Sequence, residues 1–190
     1  MQYLLVGTRI DSNMAELKDL LRELPCELVF LDQVGITQEV DETEDTFEGN
    51  AVLKAECYGR IANMITVADD SGIEVDALNG EPGVLSARYG GEGLNDKDRN
   101  DLLLENLSEF EGTGLSARFK CVVAVYHPED GTEVFEGKIE GIITHEPRGE
   151  NGFGYDPLFF YPQKRKTLAE ISAKENHCLL YTSPSPRDAT

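Results

Sequence analysis

The chain has no apolar run near the length of a bilayer span, and no basic-then-apolar leader opens it. A helical membrane span and a secretory signal are therefore not expected, and the cytoplasm is the expected compartment. Its four cysteines (Cys26, Cys57, Cys121, Cys178) stand far apart, with no CxxC pair and no neighbouring histidine pair. That spacing excludes the usual zinc and disulfide frameworks and leaves reduced thiols. Positive charge is scarce: 17 basic residues face 36 acidic ones, for a formal net charge of −19. Non-specific binding to nucleic acid or to anionic membranes needs basic patches, so neither partner is expected. The deficit also sets a condition on any anionic small-molecule substrate. It could approach only where local lysines, backbone N–H groups and a bound divalent cation reverse the field in one cleft. The remaining acid reads as a solvated surface.

What is present is ordinary in bulk. At 190 residues, 40% of them hydrophobic, the chain can build one soluble domain or two closely packed lobes around a core. Tyr3-Leu4-Leu5-Val6 reads as a short buried strand, and 14–24 has helical spacing before Pro25 stops it. A second strand is expected over 27–31. An acidic stretch, 39–45, leads into a long helix over 46–62, whose stripe is Phe47, Ala51, Ala55, Tyr58 and Ala62. Strands follow at 65–68 and 72–77, then a turn cluster at 79–83 and a helix over 96–107 with Leu102, Leu103 and Leu107 inward. The stretches 116–126 and 132–143 alternate as long strands around His127-Pro128-Glu129-Asp130-Gly131, a hairpin signal. A glycine-rich loop at 149–156 precedes a last short strand, 158–161. The pattern is α/β with a mixed sheet.

The most informative run is Val67-Ala68-Asp69-Asp70-Ser71-Gly72. Successive side chains of a strand face opposite ways, so the two aspartates need a bend to share a pocket. Ser71-Gly72 is read as that break. Carboxylates at a strand end beside free N–H groups suit a hard cation carrying phosphate oxygens. Three further stretches accompany it. One is 8–13, a strand-to-helix loop whose N–H groups can hold phosphate. Another runs from Glu42 into the long helix, where Asn50 and Lys54, four apart, share one face. The third is Gly152-Phe153-Gly154-Tyr155-Asp156-Pro157 with Lys166-Thr167-Leu168-Ala169-Glu170. Taken singly, each has a plainer explanation as a capped strand end, a solvated lysine or a turn.

In this order and spacing, with Ser86-Ala87-Arg88-Tyr89 after the aspartates, these stretches resemble the inosine triphosphate pyrophosphatase family. The resemblance runs from Tyr3 to about Glu175. It implies an elongated mixed β-sheet flanked by helices, in two lobes with the active cleft between them, and commonly a homodimer. The implied activity is magnesium-dependent cleavage of non-canonical purine nucleoside triphosphates (ITP, dITP, XTP) to the monophosphate and pyrophosphate. The matched positions make Asp70 the general base and place Mg2+ on Glu42 and Asp70, with Asp69 a further metal contact or a support for Asp70. Lys54 would neutralise the triphosphate, while Ser71, Thr8, Arg9, Asn13 and Arg88 contact it. Phe153 would stack on the purine over Gly154, Tyr155 would wall the pocket, and Asp156 would accept from a base or ring N–H.

Two departures stand out. The first family motif usually reads Thr-x-Asn-x-x-Lys, whereas this chain has Ile10 and Asn13 at the amide and lysine positions. Arg9 is a candidate to restore the missing charge. The family also closes its pocket with a Lys-Asn stretch followed by Ser-His-Arg, where this chain reads Lys174-Glu175-Asn176-His177 and then Cys178. From 178 to 190, with its Ser-Pro-Ser-Pro, the chain resembles a translated sequencing adapter; a genuine disordered tail is the alternative. The expected organisation is thus a C-terminally truncated pyrophosphatase domain over 1–177 and a disordered tail over 178–190, with much of the base discrimination lost. Two other functions compete with the pyrophosphatase: an impaired nucleotide-binding or dimerisation relic of the family, and a hydrolase with shifted base preference that guards against modified pyrimidines.

Overall fold

The computed structural model describes residues 2–9, 14, 17–18, 21–22, 24–110 and 115–172. Strand β1 (Gln2–Val6) pairs in parallel with β2 (Cys26–Phe30) on one edge and with β3 (Thr66–Val75) on the other. Beyond β3 come β4 (Leu115–His127) and β5 (Gly131–Ile143), then β6 (Phe159–Tyr161) and β7 (Lys166–Thr167). The order across the seven-stranded sheet is β2-β1-β3-β4-β5-β6-β7. Only residues 128–130 join β4 to β5, too few for a crossover, so these strands form the expected hairpin. The β5–β6 and β6–β7 pairs are antiparallel. The sheet is therefore mixed, as its sequence pattern predicts, and open at both edges.

Two compact units divide the chain: Met1–Asp70 with Val122–Glu136, and Ser71–Cys121 with Gly137–Thr190. In the first, adjacent residues of β1 feed two apolar clusters. Leu5 joins Leu31, Ile36 and Tyr58, while Val6 joins Val67 and Leu17. Helix α1 (Phe47–Ala62) buries Phe47, Ala51, Ala55 and Tyr58, four of the five residues expected in its stripe; Ala62 is half-buried. Thr46 caps it, its hydroxyl accepting from the Gly49 N–H at 3.0 Å. Thr46→Ala leaves that N–H without its acceptor and is expected to cost about 1 kcal/mol, read by chemical denaturation.

In the second unit, Ile73, Val75, Leu103, Leu107, Leu158 and Phe159 pack into one core. Phe119 and Phe159 meet there with ring centroids 4.8 Å apart. Helix α2 (Asp96–Asn106) contributes Leu103, fully buried, worth roughly 2 kcal/mol by its apolar area. A 3-10 segment, Gly83–Arg88, precedes it.

Several expectations need correction. Ser71-Gly72 does not interrupt the strand: β3 is continuous through ten residues, and the two pieces expected at 65–68 and 72–77 are one. Leu31 leaves the second strand for a 3-10 turn, Leu31–Val34. On α2 the buried stripe includes Asn100, whereas Leu102 is only half-buried. Of the helix expected at 14–24, residues 14, 17, 18 and 21 are helical and Leu17 is buried; its other turns lie outside the described residues. Among the described residues no helix is long and apolar enough to cross a membrane.

Candidate active site

One group of expected site residues lies in the first unit, on a single face of α1. Asn50, with no exposed surface, uses both ends of its amide. Its Nδ2 donates to Asp70 Oδ2 at 3.0 Å, and its Oδ1 accepts from the Glu44 backbone N–H at 3.0 Å. One turn along the same face, Lys54 Nζ lies 2.5 Å from Glu42 Oε1. The four-residue spacing thus does what a helix face requires: Asn50 holds the Asp70 carboxylate and Lys54 holds that of Glu42. The acidic segment before the helix is drawn over the same face by the Glu44–Asn50 bond. The sequence signals this face but leaves Asn50 without a task, because its partner comes from a strand 20 residues away.

Asp69 and Asp70 do not share that pocket. Both are buried, at 3% and 8% exposure. In an unbroken strand their side chains leave opposite faces. Asp70 turns toward α1, while Asp69 has the parity of Val67, which packs with Val6 and Leu17 on the other face. The expected metal contact from Asp69 depended on a bend, and β3 is continuous there. Thr8 is buried.

Arg9 has partners within the first unit. Its guanidinium donates to Asp32 Oδ1 at 2.6 Å and to the Ile36 carbonyl. The hydrogen bond to Asp32 raises its pKa over the opposing effect of desolvation. Arg9 therefore ties residue 9 to the 3-10 turn after β2. Ile10 and Asn13 themselves lie outside the described residues.

A second group lies in the other unit. Ser71 follows Asp70 directly and is exposed; Arg88, at the end of its 3-10 segment, is exposed as well. The 153–156 turn is closed on itself. Asp156 Oδ2 accepts from the Phe153 N–H, and the Asp156 N–H donates to the Phe153 carbonyl, both at 3.2 Å. Asp156 thus spends one carboxylate oxygen on the turn, a role the expectation of a base contact did not include. Tyr155 is buried and donates its hydroxyl to the Ser86 carbonyl at 2.9 Å. Burial pushes the phenol far above its ordinary range, so it stays a neutral donor. Phe153 is the exception, with 52% of its surface exposed. The turn therefore presents one aromatic ring on a backbone tied down behind it. Asp96 and Asn100, which also bind this turn, carry no signal in the local motif.

Among the described residues no three histidine, cysteine, aspartate or glutamate side chains converge as a ready metal cage. The donors that α1 gathers, Glu42 and Asp70, are hard carboxylate oxygens. Two such ligands fit a small hard cation that keeps its remaining positions for water and phosphate. They do not fit a soft metal.

Residues 4–179 match the sequence model of the Ham1 family. A dITP/XTP pyrophosphatase of Bacillus licheniformis is 44% identical over 177 residues, which cover 93% of this chain and 90% of that protein. A HAM1 protein from Coxiella burnetii has a similar structure, with TM-score 0.88 and 35% identity, covering 94% of this chain and 91% of the other. A nucleoside-triphosphatase, dITP/XTP pyrophosphatase, from Mycobacterium abscessus gives TM-score 0.82 at 40% identity, covering 96% and 95%.

Proposed function

The chain belongs to the Ham1 family, and from that membership we propose that it hydrolyses non-canonical purine nucleoside triphosphates, ITP, dITP and XTP, to the monophosphate and pyrophosphate. The observation that carries the reading is the pairing on α1: Asn50 with Asp70 and Lys54 with Glu42, two carboxylates and a cation held over one helix face. A relic that only bound nucleotide would have no use for that arrangement, so the relic reading is not favoured.

Attack at the α-phosphorus sets an incoming water against a polyanion, so the site must lower the charge that the water meets. Glu42 and Asp70 would hold Mg2+, which when bound neutralises phosphate oxygens and makes its water more acidic. Asp70 is the general base, oriented by the Asn50 amide so that a carboxylate oxygen can take the proton of the attacking water. Lys54 passes from Glu42 to the triphosphate. The Ser71 hydroxyl and Arg88 bind phosphate oxygens, and Thr8 lines the loop after β1. Phe153 stacks on the purine, with Tyr155 and Asp156 fixing the turn behind it. Asp69 supports the strand from its far face. The family resemblance also supports a homodimer, which light scattering on the purified protein tests.

The deciding assay is pyrophosphate release from ITP, dITP, XTP, dATP and a modified pyrimidine triphosphate, with and without magnesium. The expected result is turnover of the 6-oxopurine triphosphates that falls to background in EDTA and returns with added Mg2+. Binding without turnover of any triphosphate overturns the proposal in favour of the relic. Turnover of the pyrimidine alone overturns the substrate class.

A further inference from the structure

We propose that Asn100 and Asp96, on α2, are positioning residues that hold the Phe153 ring in place for the purine by gripping Gly154 at both its N–H and its carbonyl. The inference rests on the stacking role given to Phe153 above and adds the element that enforces it.

Helix α2 begins with a reciprocal cap. The Asn95 side chain accepts from the Asp98 N–H at 3.0 Å, and Asp98 returns a bond to the Asn95 N–H at 3.2 Å. Asp98 is thereby used, and Asp96 in the same turn points to the loop instead: its Oδ2 accepts from the Gly154 N–H at 2.7 Å. Four residues on, Asn100 Nδ2 donates to the Gly154 carbonyl at 3.0 Å. The spacing puts an acceptor and a donor on one helix face, matched to the donor and acceptor of one residue.

The Asn100 amide is not explained by packing. The residue is buried, at 7% exposure, one turn from Leu103, where a leucine would fill the space without polar cost. Its Oδ1 has no donor among the described residues, whereas its Nδ2 meets the Gly154 carbonyl. The bond to Gly154 is what the amide supplies. Gly154 itself sits at φ +59°, in the left-handed region. Two bonds from a helix hold that conformation, while Asp156 closes the turn and Tyr155 anchors it to Ser86. All of this holds the backbone and leaves the Phe153 ring half-exposed. A ring presented on a pre-ordered backbone binds a base without a further ordering cost.

The test uses the absence of tryptophan from the chain: Phe153→Trp places the one indole of the protein at the turn, excited selectively beyond the absorption of the tyrosines. In that background without nucleotide, Asn100→Leu and Asp96→Leu are expected to increase the mobility of the indole, read by time-resolved anisotropy. In the native background both raise KM for dITP by about tenfold, the loss expected when one ordered residue is released, with a much smaller change in kcat. Asp96→Asn, which keeps an oxygen for the Gly154 N–H, stays closer to native than Asp96→Leu. The Asp96 side chain is 56% exposed, so its replacement does not threaten folding. Unchanged indole mobility and KM in Asp96→Leu overturn the proposal, as does a kcat loss matching or exceeding the KM effect. Should the native protein fail to hydrolyse dITP, the proposed activity falls, and the anisotropy still decides whether α2 holds the turn.

Discussion

Asp70→Asn is expected to stop pyrophosphate release, lowering kcat by roughly a thousandfold, within the range for loss of a general base. The substitution keeps the size and shape of the side chain. Its amide oxygen can still accept from Asn50 Nδ2, the bond that ties β3 to α1 through this residue. Thermal stability should therefore stay within a few degrees of native while the rate collapses. Circular dichroism and a coupled pyrophosphate assay on the same preparation separate the two effects. Survival of the rate rejects Asp70 as the base. Asp69→Asn provides the contrast. That side chain leaves the other face of β3 and is buried there, so its replacement should act mainly on stability.

Gly149→Ala is expected to be the most damaging substitution to the fold, costing about 3 kcal/mol or more. Gly149 adopts φ +85°, and an added Cβ would lie 2.2 Å from the Ala169 carbonyl carbon and 2.5 Å from the Glu170 nitrogen. These are backbone atoms, and hydrogen bonds hold them still. The Ala169 carbonyl accepts from both the N–H and the side-chain amide of Asn151, at 3.0 and 3.1 Å, and the Ala169 N–H donates to the Asp156 carbonyl at 3.2 Å. Relief of the clash would have to break the contacts that seat the 149–156 loop. The expected fall in melting temperature is roughly 10 °C. It should be accompanied by a raised KM, because the same loop carries Phe153. A melting temperature within 2–3 °C of native, about the shift for 1 kcal/mol in a chain of this size, would show that the 167–170 segment can move aside.

Ser71-Gly72 carries every local sign of a break, yet β3 is continuous through it. A glycine permits a turn without imposing one, and pairing within the sheet satisfies the backbone groups that a turn would strand. That outcome separates Asp69 from Asp70, which a bend would have brought together. Arg9 is a different case. Its charge is visible in the sequence, but Asp32 and the Ile36 carbonyl claim it from 23 and 27 residues away. Asn100 escapes notice because a polar residue among leucines looks like surface. Its partner, Gly154, is 54 residues distant.

Local pattern alone was sufficient for most of the strands, though not for the unbroken course of β3 or for β7, and for helix α1 with its buried stripe and the four-residue spacing that sets Asn50 and Lys54 side by side. Those features arise from short-range periodicity and hydrogen bonding, which neighbouring residues dictate. Which carboxylate each of those side chains would hold, and that α2 would grip Gly154, were decided only by tertiary structure. Each is a contact between residues far apart in the chain, and a buried polar group finds its partner only when packing brings the two together.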